Sequence, residues 1–317
     1  MAGVPSPDAF GEALRRFPRK RNKKRVVAKR ERRCRSRGEK ENAMKVLSLL
    51  PRSRFTESGM TLPETLSLHF LPPNGSHVLI AAAESAQALL LPPSQPYVDA
   101  FCLERMPSIR FIQTTGAGFD SVDHLTAAEL GIPVSNSPNM NASSVAEYVM
   151  AAIVNLQRGL AWADGEIRRG RYAASRAELL EQGGLELRGC RLGLFGLGNI
   201  GRVVVPLAKA FGCSVAAGDA FWPEEFAAEN GVERMDVAEL FAECDVVSLH
   251  CPLNGSTRNL VDYNLLSSMK PHALLINAAR SGVVVEADLA RILAEGRIRG
   301  AAPDCFADER RAEHTFL

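Results

Sequence analysis

From residue 44 onward, short apolar runs alternate with stretches whose apolar residues recur three and four positions apart. That alternation predicts βαβ units around a parallel sheet. Lys45-Val46-Leu47-Ser48-Leu49-Leu50 reads as the opening strand, and the runs at 66–71, 77–83 and 109–113 read as further strands. Pro92, Pro93 and Pro96 mark a loop between the last two. In 144–158, Val145, Tyr148, Val149, Ala152, Ile153 and Leu156 form one face of a helix, and Ser144 followed by Glu147 has capping-box spacing. The polar run 168–176 is expected to separate this helix from the next block and to serve as a hinge between two lobes. From Cys190 the alternation is regular, predicting strands at 190–195, 213–218, 245–250, 273–278 and 298–303 and helices at 199–211, 223–230, 236–243 and 286–295. Near-continuous apolar strands such as Val246-Val247 and Leu274-Leu275-Ile276 suit a sheet covered on both faces. Pro206, inside the 199–211 helix, is expected to bend it. No internal repeat is visible.

Charge changes the picture at the N-terminus. Residues 1–43 hold 15 Lys+Arg and 5 Asp+Glu, so their net charge is +10, whereas the remaining 274 residues carry 23 and 31, a net −8. The basic segment lacks apolar periodicity and is expected to be disordered. It reads as a solvated extension, or as sequence lying ahead of a start at Met44. The other readings are a nucleic-acid or nuclear-localisation patch, an organelle transit peptide and an anionic-surface anchor. The acidic body has no reason to seek nucleic acid. No stretch reaches the ~18 apolar residues of a membrane span. Seven scattered cysteines without a C-x-x-C pair argue against a zinc site or a disulfide framework, so no metal is expected, and a reducing, cytoplasmic setting is the natural one.

The candidate chemistry begins at Gly196-Leu197-Gly198-Asn199-Ile200-Gly201. This G-x-G-x-x-G follows an apolar strand and opens a helix, the context a dinucleotide fingerprint requires. Gly196 permits the tight turn, Gly198 lets backbone approach a pyrophosphate, and Gly201 lets helix and strand pack closely. The helix N-terminus offers N–H groups and partial positive charge to the phosphates. Asp219, at the end of the next strand, is placed to accept ribose hydroxyls and to repel a 2′-phosphate. No arginine follows directly, so NAD is favoured over NADP.

These blocks together resemble the D-2-hydroxyacid dehydrogenases, the family of phosphoglycerate, glyoxylate and hydroxypyruvate reductases. The resemblance runs from Met44 to Leu317 and is carried by 114–123, 134–149, 194–201, 245–261, 276–293 and 298–309. It implies an α/β fold of two Rossmann-like lobes. A flavodoxin-like substrate lobe at 44–143 would precede an NAD-binding, doubly wound parallel sheet at 144–317, whose linking helix is 144–158. It also implies an oxidoreductase passing a hydride between NAD(H) and a small 2-hydroxy or 2-oxo acid. Arg280 matches the arginine that holds the substrate carboxylate and carbonyl, a two-point task suited to a guanidinium fork. Ala117 and Gly118 match positions whose N–H groups hold the same carboxylate. Asp304 matches the aspartate that positions the nicotinamide amide. Cys251, Asn199, Ile200, Ala278 and Ala279 match cofactor-contacting positions, with a buried inert thiol as the alternative for Cys251. Glu309 matches the glutamate that orients the catalytic histidine and raises its pKa.

Family members place that histidine well beyond the glutamate. The chain ends at Leu317, His314 resembles a non-catalytic surface histidine, and His250 reads as packed or backbone-bonded. Arg310 stands where a proline is expected, and Val285 where an acidic residue is expected. The resulting expectation is a fragment without its acid and its final helix, slow or inactive because general acid catalysis contributes ~10²–10⁴-fold. The family also implies a homodimer. Two rivals remain at this level: a non-catalytic NAD(H)-binding regulator of the corepressor type, and a nucleic-acid binder driven by residues 1–43.

Overall fold

The structure is a computed structural model describing residues 43–307, apart from 58, 60, 62, 72–75, 94–96, 184 and 185. The basic segment 1–42, Glu309, Arg310 and His314 lie outside the described residues. The chain divides into two compact units, Met1–Pro138 and Asn139–Leu317.

The first unit runs β1 Met44–Ser48, α1 Ser53–Thr56, β2 Leu66–Phe70, α2 Ser76–Ala83, β3 Ala88–Leu91, α3 Ala100–Arg105, β4 Phe111–Thr114, α4 His124–Glu129 and β5 Val134–Ser135. Its five strands are parallel in the order β2-β1-β3-β4-β5, the flavodoxin-like arrangement. Leu47, Leu49, Leu89, Leu91, Leu103 and Ile112 lie in its core. The run expected as a strand at 77–83 is the helix α2. Leu79 and Ala83, four residues apart, are buried, whereas Val78 is exposed. A short apolar run carries no period to separate the two states, and its alanines favour helix. The strand comes one step later, as β3. Asp99 caps α3 through the Cys102 amide at 2.8 Å, and Asp123 caps α4 through the Thr126 amide at 3.0 Å. Those hydrogen bonds hold the Asp123 carboxyl below the usual carboxylate range.

The second unit begins with three helices, α5 Ala142–Arg158, α6 Leu160–Arg168 and α7 Tyr172–Gln182. There follow β6 Arg191–Phe195, α8 Asn199–Ala210, β7 Ser214–Gly218, α9 Glu224–Glu229, β8 Glu233–Arg234, α10 Val237–Glu243, β9 Val246–Leu249, α11 Tyr263–Ser267, β10 Leu274–Asn277, a 3₁₀ turn Ser281–Val283, α12 Glu286–Ala294 and β11 Gly300–Pro303. The parallel order β11-β10-β9-β6-β7-β8 is the doubly wound Rossmann sheet. Leu192 and Leu194 of β6 face a core with Val149 and Ile153 of α5 and Val204 and Val205 of α8. Phe195 faces the opposite core with Phe241, Leu266, Leu289 and Ile292. Both faces are therefore covered, as the apolar strands require.

Two expectations for this unit change. Helix α5 starts at Ala142 after Asn141, which makes no side-chain cap bond, so Ser144 and Glu147 lie inside the first turns instead of forming a capping box. Gly159, at φ 61°, ends it. The 168–176 run is not a polar separator, because Arg168 closes α6 and Tyr172 opens α7. Glu166 gathers the charges, accepting from Arg171 at 2.5 and 2.6 Å and from Arg169 at 2.9 Å. Pro206 lies inside α8, which continues through it. At the N-terminal edge of the sheet, the Asp245 carboxylate accepts from the Arg191 amide at 2.7 Å, Lys270 at 2.7 Å and His272 at 3.0 Å, tying the starts of β6, β9 and β10 together.

Candidate nucleotide-binding site

The turn after β6 is shaped by its glycines. Gly196 has φ 112°, and a Cβ there would lie 2.8 Å from the carbonyl carbon of His250 and 2.9 Å from the Cys251 nitrogen. Its amide donates to Gly218 at 2.8 Å, and the His250 amide donates to Phe195 at 2.8 Å. A Cβ at Gly201 would lie 2.5 Å from the Gly196 oxygen, so α8 can sit against the turn only through a glycine. Gly198 is different: nothing lies within 4 Å of its would-be Cβ. It occupies the N-cap of α8 and supplies no side-chain acceptor to the first turn. An open approach, unopposed helix-start amides and a helix dipole of the right sign fit the pyrophosphate of a dinucleotide. Asn199 opens this helix, and Ile200 packs into the core beneath it.

Asp219 stands beside the turn and grips it. Its Oδ2 accepts the Leu197 amide at 2.6 Å and its Oδ1 accepts the Phe221 amide at 2.8 Å. A carboxylate offers about four lone-pair sites, so acceptor capacity for ribose hydroxyls remains. The spacing marked Asp219 as a ribose acceptor but gave no sign that it also latches the turn.

Two strand ends join the same edge of the sheet. Arg280 leads into the 3₁₀ turn, with Nη1 donating to the Ala279 carbonyl at 2.7 Å. Asn277, 3% exposed, sets this corner: its Nδ2 donates to the Arg280 carbonyl at 3.1 Å and its Oδ1 accepts the Ala279 amide at 3.1 Å. Its carbonyl also accepts the Asp304 amide at 2.9 Å, so Asn277 ties the Arg280 segment to the end of β11. Asn277 lies in the Asn-Ala-Ala-Arg stretch but was not singled out in the sequence reading. A polar residue ending an apolar strand is the signal that points to it. Asp304 faces solvent on one side, and protein on the other raises its carboxyl pKa by desolvation. Cys251 is buried, and burial pushes its thiol up to about 11, which favours the inert reading. Ala117 and Gly118 belong to the first unit, after β4. Their carbonyls accept from Asn136 Nδ2 at 2.7 Å and from Thr114 Oγ1 at 2.9 Å. Among the described residues no His, Cys, Asp and Glu cluster could hold a metal ion.

His250 follows β9, next to Gly196. Nε2 lies 2.9 Å from Ser248 Oγ, while Nδ1 is enclosed with no hydrogen-bond partner. Burial pulls its pKa down from 6.5 to about 4. The folded protein therefore keeps His250 neutral while the unfolded chain protonates it near pH 6.5. Its contribution is complete above that value and is lost as pH falls toward 4, by about 3 kcal/mol. Urea unfolding of the protein and of His250→Gln across this window should show the unsubstituted chain losing stability faster; parallel curves would contradict it.

Comparison with known proteins gives the family. Residues 150–317 match the family model described as "D-isomer specific 2-hydroxyacid dehydrogenase, NAD binding domain". D-3-phosphoglycerate dehydrogenase of Methanocaldococcus jannaschii is 36% identical over 216 residues, 68% of this chain and 40% of that protein. Its Mycobacterium bovis counterpart is 36% identical over 231 residues, 73% and 43% of the two chains. The chain thus spans about two fifths of the length of these curated relatives. A solved D-lactate dehydrogenase from Aquifex aeolicus, complexed with NAD and lactic acid, superposes with a TM-score of 0.73 at 26% identity, covering 86% of this chain and 82% of that one. The fold and the nucleotide turn thus define an NAD-binding α/β protein. The chain belongs to the D-isomer specific 2-hydroxyacid dehydrogenases.

Proposed function

We propose that this protein is an NAD-dependent oxidoreductase acting on a small 2-hydroxy or 2-oxo acid. The observation that carries the reading is the convergence, at one edge of the second sheet, of a dinucleotide turn latched by Asp219 with Arg280 and Asp304 held through Asn277. When bound, NADH supplies a hydride to the keto carbon. Gly198 and the first amides of α8 hold the pyrophosphate, Asp219 accepts the ribose hydroxyls, and Asp304 accepts from the nicotinamide amide. Arg280 grips the acid's carboxylate and carbonyl in a charge-assisted fork. Glu309 is assigned the task of orienting a histidine acid and raising its pKa.

A homodimer and a cytoplasmic setting complete the proposal. The pairing is supported by the α6–α7 arm, which leaves Leu160, Ile167, Tyr172 and Leu180 exposed. The setting is supported by the scattered thiols and the absence of a membrane-crossing helix among the described residues.

Calorimetry should detect NADH binding, with NADPH at least tenfold weaker because Asp219 repels a 2′-phosphate. Glyoxylate or hydroxypyruvate should bind the NADH complex, and Arg280→Ala should weaken it about 30-fold, through loss of a charge-assisted fork. Absence of NADH heat from folded protein would sink the reading, and sedimentation of the same sample reads the pairing.

A further inference from the structure

Helix α5 lies over β10 and β11 and carries a side chain that the proposed chemistry has not used. Near its C-terminal end, Leu156 covers the start of β11, where a methyl on Gly300 would sit 3.6 Å from Leu156 Cδ2. Tyr148 is eight residues earlier on the same helical face, with Ala152 buried between them. Eight helical residues span about 12 Å, and the four strand steps from Gly300 to Asp304 span about 13 Å. Arg299, just before β11, donates to the Gln157 carbonyl near the end of α5 at 3.3 Å, so the helix runs against the strand and Tyr148 comes to the level of Asp304.

The electrostatics agree with this placement. Tyr148 is 36% exposed. Partial burial raises its phenol pKa, with further upward contributions from Asp304 and then Cys305. The hydroxyl is thus a neutral donor at physiological pH. Cys305 Sγ lies 3.8 Å from the Asn277 carbonyl, which it faces.

Taking the proposed function as its basis, we propose that Tyr148 is a positioning residue for the nicotinamide end of the dinucleotide, its hydroxyl orienting the Asp304 carboxylate. With the dinucleotide bound, one carboxylate oxygen would accept from the phenol, and the other would accept from the carboxamide N–H of the nicotinamide. A carboxylate held by two donors cannot rotate away from the ring, so the cofactor's amide meets a fixed acceptor.

Calorimetric titrations of the 317-residue chain with NADH and with ADP-ribose, which shares the dinucleotide's other half but lacks nicotinamide, test this. Tyr148→Phe should weaken NADH about fivefold and leave ADP-ribose unchanged, since one hydrogen bond is lost at one end of the ligand. In an Asp304→Asn background the same substitution should weaken NADH less than twofold. Unchanged NADH affinity in Tyr148→Phe would overturn the proposal, as would equal weakening of both ligands, which marks a purely structural role. If the unsubstituted chain binds neither ligand, the nucleotide site itself is overturned and this inference with it. ADP-ribose binding separates that outcome from failure of Tyr148 alone.

Discussion

Gly196→Ala and Gly201→Ala are each expected to destabilise the second unit and to abolish measurable NADH binding. At Gly196 the backbone φ of 112° excludes an L side chain, at a cost of about 1–2 kcal/mol. The added Cβ would also meet main-chain atoms of His250 and Cys251 within 2.9 Å, where no flexible side chain can give way. At Gly201 the Cβ would press the Gly196 oxygen at 2.5 Å and force the start of α8 off the turn. The combined effect is about 3 kcal/mol or more for either variant, which lowers the thermal midpoint of a unit of this size by roughly 10 °C. Because the same movement displaces the helix-start amides, NADH affinity should fall more than about 100-fold, a loss of about 2.7 kcal/mol. Calorimetric scans with and without NADH read both quantities. A variant that melts and binds like the unsubstituted chain would show that the turn has another shape.

Gly198→Val separates the two effects. No atom lies within 4 Å of the new Cβ, so the folded protein should keep its stability to within about 1 kcal/mol. The side chain would stand where a phosphate must come within about 2.9 Å of backbone amides. Losing two such bonds to a charged group costs about 3–6 kcal/mol, or a 100-fold or greater rise in Kd. An unchanged melt with lost NADH binding is the expected signature. Retained binding would place the phosphates elsewhere.

The second sheet was legible in advance because its strands are buried on both faces and its helices carry an unbroken period. The glycine turn was legible because each glycine answers a distinct steric demand. The first unit was harder to read. The 77–83 run is apolar throughout, so nothing local told α2 from a strand, and its buried face is defined only by the sheet it packs on. The start of α5 misled because Ser144 and Glu147 have capping spacing but Asn141 begins the helix without a side-chain bond. The 168–176 run read as a separator because its charge outweighed its helical period, and Glu166 neutralises that charge from outside the run. Asp219 holding Leu197, 22 residues away, and Asn277 bridging Arg280 and Asp304 are hydrogen bonds across the fold that no local window displays.

The double hold of Asp219 on the Leu197 and Phe221 amides bears on any attempt to re-engineer coenzyme preference. Removing the carboxylate to admit a phosphorylated ribose would also strip the loop of its brace, leaving two main-chain donors unsatisfied. A neutral residue that still accepts there, such as serine or asparagine, would be the gentler exchange. Selectivity and loop rigidity are therefore coupled through one side chain, and a redesign that alters the first must restore the second.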